Sequence, residues 1–153
     1  MFKQLKPEIL RQNGRLKMKD SFDIFPVGVI KKQGKNVWIE IYDKYNEALI
    51  GLDGFSHLFV CYWFHENDTP EKRNVLQVHP RSNKKNPLTG VFATHSPLRP
   101  NLIAISICKI LSIDGNTIRI NKIDAFEGSP VIDIKCFIPS KVSASDIRLP
   151  DWV

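Results

Sequence analysis

Apolar residues in this chain recur at every second position, in short runs cut off by glycine, proline and asparagine. Val37, Ile39 and Ile41 alternate with Trp38, Glu40 and Tyr42. Ile103, Ile105 and Ile107 alternate with Ala104, Ser106 and Cys108. Ile132, Ile134, Cys136 and Ile138 alternate with Asp133 and Lys135, and Pro139 closes that run. A period of two is the signature of half-buried strands, whose successive side chains point to opposite faces. The run His57 to Phe64 is apolar on both parities, as expected of a strand covered on both sides. Asp114-Gly115-Asn116 parts two β-branched runs, a strong hairpin signal. Phe25 to Ile30 adds another short apolar run, and Tyr45 to Leu49 suits a single helical turn before the turn at Gly51 to Gly54. No long amphipathic helix competes with these strands. The pattern predicts an all-β domain, a closed or nearly closed barrel of short strands with few short helices.

Length permits little else: 153 residues suit one domain, divided here into an N-terminal arm (1–20), a barrel domain (21–140) and a C-terminal tail (141–153). No apolar run approaches the ~18 residues of a membrane helix, because Ser106, Lys109 and Ser112 interrupt the best candidate, Leu102 to Ile113. The N-terminus reads as free of a signal peptide. Three dispersed cysteines, Cys61, Cys108 and Cys136, suit a reducing cytoplasm better than a disulfide framework.

The net charge is +6, and residues 1–20 carry six basic against two acidic side chains, so +4 of it lies in the arm. A second basic stretch is Arg81, Lys84 and Lys85, within a loop spanning roughly 79–89. An anionic partner, most simply RNA, would be drawn to both; a merely solvated surface is the alternative.

The four histidines, His57, His65, His79 and His95, share no metal-ligand spacing with one another or with the cysteines, so no metal is expected. Nucleophile-elbow, phosphate-loop and dinucleotide-binding motifs are absent. The densest polar segment is Gly90 to Asn101. Within eight residues it offers Thr94, His95, Ser96, Arg99 and Asn101, and Pro97 and Pro100 stiffen it. Fixed φ at two prolines lowers the entropy lost when nearby polar groups hold one geometry. Arg99 either meets a ligand or pins the loop through backbone carbonyls. Asp124-Ala-Phe-Glu-Gly-Ser-Pro130 is a second cluster, and His57 with His65 at the two ends of one apolar strand, joined by Glu66 and Asn67, forms a third.

These segments resemble the TsaA/TrmO-like (YaeB-like) family. The resemblance runs from about Phe25 to Pro139 and rests on several ordered blocks: Pro26-Val-Gly-Val-Ile30; Gly51 to Leu58 with Trp63-Phe-His65; Gly90-Val-Phe-Ala-Thr94 with Ser96-Pro97 and Arg99-Pro-Asn101; and Glu127-Gly-Ser-Pro130 with Asp133-Ile-Lys135. It implies a β-barrel, a homodimer, and S-adenosylmethionine-dependent methylation of N6 of the threonylcarbamoyl-adenosine beside the tRNA anticodon. His65, Glu66, His95, Ile105, Asp124, Ala125, Phe126 and Glu127 would then hold the cofactor. Arg81, Lys84, Lys85 and Arg99 would meet RNA. His95 stands where the family usually carries Arg, and Ile30 to Asn36 is short where many members carry a long insert. Two other readings stay open: a non-catalytic RNA- or nucleoside-binding module on the same barrel, and methyl transfer to another small acceptor.

Overall fold

The alternating runs close into a barrel. The computed structural model describes residues 10–12, 15–17, 21–139 and 147–153. Within the arm, β1 (Leu10–Gln12) and β2 (Arg15–Lys17) pair as a two-stranded antiparallel ribbon; the rest of the arm and the first part of the C-terminal tail lie outside the described residues. The barrel strands are β3 (Gly28–Gln33), β4 (Asn36–Ile41), β5 (His57–Trp63), β8 (Ile103–Asp114), β9 (Thr117–Ile120) and β10 (Pro130–Cys136). Two-residue strands β6 (Gln77–Val78) and β7 (Thr89–Gly90) pair outside it. Around the barrel the order is β10-β3-β4-β9-β8-β5, with every pairing antiparallel and β5 returning to β10. Closure leaves no edge strand open to aggregation.

The core is the inward parity of these strands. Ile30, Ile39, Leu58, Val60, Ile118, Ile120 and Val131 are buried to within 1% of full enclosure. Each such side chain contributes roughly 1.5–3 kcal/mol through lost apolar exposure. Gly28 lies against β4 so closely that a Cβ would stand 2.5 Å from the Glu40 carbonyl oxygen. β3 and β4 meet in a tight hairpin in which Gln33 pairs with Asn36 and Gly34 takes φ 59°. The Asp114-Gly115 turn joins β8 and β9 as expected, with Asp114 opposite Thr117.

Two expectations change, for β5 and β10, and the inward face of β8 is decided. β5 is covered on one face only: Leu58, Val60 and Tyr62 are buried, whereas Phe59, Cys61 and Trp63 on the other parity are half-buried. β8 keeps the expected alternation, but Ala104 and Cys108 point into the barrel and Ile105 and Ile107 point out. In β10 the alternation breaks at a bulge. Val131 pairs with Tyr62 and Ile134 with Val60, both inward residues, so one extra residue lies between them. The strand ends at Cys136, and Ile138 beyond it is exposed.

The short helices lie in two connections, β4 to β5 and β5 to β8. A 3-10 turn (His65–Asn67) leads into α1 (Pro70–Arg73). Pro70 opens α1 at a position where its missing N–H is no loss, and the Thr69 hydroxyl accepts from the Lys72 N–H at 3.3 Å. Further 3-10 turns span Asp43–Leu49, Leu52–Gly54, Pro80–Ser82 and Val91–Ala93. Among the described residues no helix is long and apolar enough to cross a membrane.

Candidate functional site

At one lip of the barrel, three walls from different parts of the fold border a cavity of about 900 Å³. That volume lies at the upper end of the range typical of small-molecule sites. The first wall is the turn 124–129. Its backbone is stitched to β3: Ile30 N–H donates to Ser129 O at 2.9 Å, and Gly128 N–H to Ile30 O at 2.9 Å. Gly128 takes φ 79°, a conformation that side chains rarely adopt. The Tyr62 hydroxyl donates to the Asp124 carbonyl from inside the barrel. This fixes Asp124, Ala125 and Phe126 on the cavity wall.

The second wall is the proline-braced bend. Thr94 N–H and Oγ1 both donate to the Val91 carbonyl, at 3.1 and 2.9 Å. Ser96 N–H donates to Thr94 Oγ1, and Leu98 N–H to Ser96 Oγ, each at 3.2 Å. Arg99 donates to the carbonyls of Thr94 and Ser96, each at 3.3 Å. Its guanidinium therefore pins the bend, as one of the two sequence readings expects, and also lines the cavity. Thr94, His95 and Arg99 face the cavity; Ser96 and Asn101 do not line it.

A network of side chains ties this bend to α1. Arg73 donates to Asp68 Oδ1 at 2.8 Å and to the Pro100 carbonyl at 3.0 Å, and its guanidinium lies 5.3 Å from the Trp63 ring centroid. Trp63 Nε1 donates to Asp68 Oδ2 at 3.0 Å. Hydrogen bonds from Arg73 and Trp63 hold the Asp68 carboxyl below the usual carboxylate range.

The third wall is the upper part of β5 and β8: inward Tyr62 and Ala104 with Ile103, Ile105 and Ser106, and Phe64, Glu66 and Asn67 beyond the end of β5. Burial raises the Tyr62 hydroxyl above its ordinary value, and the nearby Asp124 charge adds to the rise. Tyr62 is therefore a neutral donor at physiological pH.

Of the residues singled out from sequence, Glu66, His95, Arg99, Ile105, Asp124, Ala125 and Phe126 share this cavity. His65 and Glu127 lie outside its lining. The Nδ1 of His65 is buried without a hydrogen-bond partner. Glu127 turns to β3, where its carboxylate accepts from the Lys32 N–H and stands 4.0 Å from Lys31 Nζ. Arg81, Lys84 and Lys85 are exposed on the loop joining β6 to β7 and do not line the cavity. Arg81 and Ser82 there take φ 57° and 54°, uncommon for residues with side chains. Several wall residues escaped the sequence reading, Lys72 among them. Lys32 (its Nζ donates to the Ile123 carbonyl at 3.2 Å), Tyr62 and Phe92 gave no motif of their own, although Phe92 lies in the segment flagged as densest in polar groups.

A smaller cavity of about 310 Å³, lined by apolar groups such as Val27, Tyr45, Leu49 and Phe55, contains none of the candidate residues. Among the described residues, no group of three or more His, Cys, Asp or Glu side chains is placed to hold a metal ion.

Residues 17–142 match the family described as the tRNA-methyltransferase O N-terminal domain. A probable S-adenosyl-L-methionine-binding protein of Pyrococcus horikoshii is 50% identical over 118 residues, 77% of this chain and 84% of the relative. A second protein of that description, from Methanocaldococcus jannaschii, is 47% identical over 112 residues, 73% of this chain and 89% of the relative. The human tRNA (adenine(37)-N6)-methyltransferase is 36% identical over 110 residues, 72% of this chain but only 24% of that protein. Among solved structures, TrmO from Pseudomonas aeruginosa superposes with a TM-score of 0.63 at 24% identity, covering 84% of this chain and 61% of that one. At that identity the superposition speaks for the fold.

Proposed function

The chain belongs to the family of the tRNA-methyltransferase O N-terminal domain, and on that premise we propose that it binds S-adenosylmethionine in the lip cavity and methylates N6 of an adenosine in tRNA. The finer substrate we propose is the threonylcarbamoyl-adenosine beside the anticodon. The observation that carries the reading is convergence: the braced bend with His95 and Arg99 and the acidic corner with Asp124 border one cavity.

The cavity's donor set suits the cofactor. Carboxylates of Asp124 and Glu66 complement its ammonium and ribose hydroxyls, while Ile105, Ala104 and Phe126 offer apolar surface to its adenine. When bound, S-adenosylmethionine supplies an activated methyl group on a sulfonium centre. The protein's work is then positioning and exclusion of water, and no metal is needed. Arg99 holds the bend in one conformation and so sets the distance between its wall and that of Asp124. The acceptor nitrogen must lose a proton during or after attack; Glu66, Asp124 and His95 are acid–base groups on the wall. His95 offers one hydrogen bond at a time to a carboxylate, where an arginine would offer two. The exposed cations Arg81, Lys84 and Lys85, together with the arm, would take up tRNA phosphates.

The outer face of β5 and β8 suits a second copy of the chain in a homodimer. Ile107 is 54% exposed, beside half-buried Phe59 and Cys61, an apolar strip on that face. The cytoplasm is the compartment that joins reduced cysteines to a tRNA substrate.

One observation favours a second reading. The β3–β4 hairpin is tight, and of its residues only Lys32 lines the cavity. A binding module without turnover would need no further cover. Calorimetric titration with S-adenosylmethionine and transfer of labelled methyl to tRNA test the first reading; failure of both at high protein concentration defeats it. Turnover that Asp124→Ala abolishes in a folded protein defeats the second.

A further inference from the structure

Phe92 is 82% exposed, yet the residues on either side of it are tied down by hydrogen bonds. Val91 before it is buried at 2% exposure and donates its N–H to the Leu76 carbonyl at 3.0 Å. Thr94 after it clamps the Val91 carbonyl twice. A large apolar ring on a flexible loop folds back onto the protein to leave water. A ring kept in water by a fixed backbone presents a flat face to something else. Phe92 lines the cavity and is more exposed than Phe126, the other exposed ring there, at 61%. It also follows the β6–β7 hairpin directly, two residues after Gly90, so the chain passes from the basic loop to this ring within one short strand.

From this placement we infer that Phe92 is the stacking platform for an unpaired purine of the RNA, the base that carries the acceptor nitrogen, as it leaves its own stack to enter the cavity. The inference rests on the methyltransferase reading and deepens it. A duplex does not fit into about 900 Å³, so a single base must be splayed out, and an exposed π-face at the mouth replaces the stacking it loses. The cavity has room for a base beside a cofactor of ordinary drug size. Cations accompany the ring: Lys72 and Arg99 line the same cavity and suit the phosphates flanking a splayed nucleotide.

The test compares Phe92→Leu, Phe92→Ala and Phe92→Trp with the unaltered full chain, using a tRNA anticodon stem-loop with an unpaired adenosine as probe. Leucine keeps apolar bulk and removes the π-face; tryptophan keeps and enlarges it. The expected result is about tenfold weaker stem-loop binding for the leucine and alanine variants, the value of one base–aromatic contact, and affinity restored to within twofold by tryptophan. Calorimetric affinity for S-adenosylmethionine should stay within twofold in all three. Two results overturn the inference: stem-loop binding indifferent to all three changes, or loss of cofactor affinity in proportion to loss of RNA affinity, which would make the ring a wall for the cofactor's adenine. An unaltered chain that binds stem-loop but not cofactor defeats the methyltransferase reading and leaves the stem-loop comparison to judge Phe92. One that binds cofactor but no stem-loop defeats the Phe92 inference alone.

Discussion

The hydroxyl of Tyr62, from the inward face of β5, donates a hydrogen bond to the backbone carbonyl of Asp124, 62 residues further along the chain. The barrel core and the acidic corner of the cavity are thereby one structure. Tyr62 is buried, so removing its hydroxyl leaves the Asp124 carbonyl with one partner fewer in a partly dry setting. Tyr62→Phe should lower unfolding stability by about 1–2 kcal/mol. It should also weaken S-adenosylmethionine binding several-fold, because the turn 124–126 loses its brace. Urea unfolding and calorimetry measure the two effects. Unchanged cofactor affinity in a destabilised protein would separate the brace from the site.

Gly28 has no room for a side chain. A Cβ there would meet the Glu40 carbonyl oxygen at 2.5 Å and Ile41 Cα at 3.1 Å, both backbone atoms of the paired strand β4. Neither moves without opening the β3–β4 ladder, whose register sets Gly28 opposite Ile41. Gly28→Ala should therefore destabilise the fold by about 2 kcal/mol or more, at the upper range of overpacking changes. The denaturant midpoint reads this directly, and a midpoint equal to that of the unaltered chain contradicts it.

Period-two alternation was enough to predict β4, β8 and the Asp114-Gly115 hairpin, because each depends only on neighbours in sequence. Which face of β8 turns inward was not legible. Hydrophobicity alone places the isoleucines inside. The barrel instead takes Ala104 and Cys108, because Leu58, Val60 and Tyr62 of neighbouring β5 already fill that part of the core. The bulge in β10 was hidden for the same reason: it answers the pairing with β5, not the sequence of β10. α1 spans four residues, too few for periodicity to register, although Thr69-Pro70 carries its start signal. At the site, the bend and the acidic corner were legible as dense polar clusters, and the family resemblance joined them. Lys32 and Tyr62 were not: Lys32 lay in the short segment after the first apolar run and Tyr62 in a strand read only as core, and only the closure of the barrel brings each to the cavity.

The exposed strip on β8 yields a test of assembly. Ile107 lies opposite Phe59 on the outer face, away from the core. Ile107→Asp should leave stability within about 0.5 kcal/mol, as for most surface changes. If a second copy covers this face, the same change should shift the molecular mass in solution from dimer to monomer, since it would bury an unpaired carboxylate. Sedimentation equilibrium decides the point. An Ile107→Asp protein that remains dimeric moves the interface elsewhere.

The loop cations should show in salt dependence. Arg81, Lys84 and Lys85 are exposed and outside the cavity. Replacing all three by asparagine removes charge while keeping a residue tolerant of the φ of 57° at position 81. If each neutralises one phosphate of a single-stranded loop, the slope of log affinity against log salt should flatten by about 2. S-adenosylmethionine binding should not change. A slope equal to that of the unaltered chain would return these residues to the solvated surface.

Alkaline pH should weaken the fold through Cys108. Burial inside the barrel raises its thiol from the ordinary 9.0 to about 11. Between those values the unfolded chain has released the proton and the folded chain still holds it. The unfolded state then binds fewer protons, so stability falls as pH rises. The contribution is intact below pH 9, and about 2–3 kcal/mol is lost by pH 11. Burial raises the Cys61 thiol and the Tyr62 hydroxyl too, and both act in the same direction. Cys108→Ala isolates the largest part: it should lower stability at pH 8 by roughly 1 kcal/mol through the small cavity it leaves, then lose less than the unaltered chain between pH 9 and 10.5. Urea unfolding of both proteins across that range gives two curves that converge; parallel curves would show that Cys108 does not govern the alkaline limb.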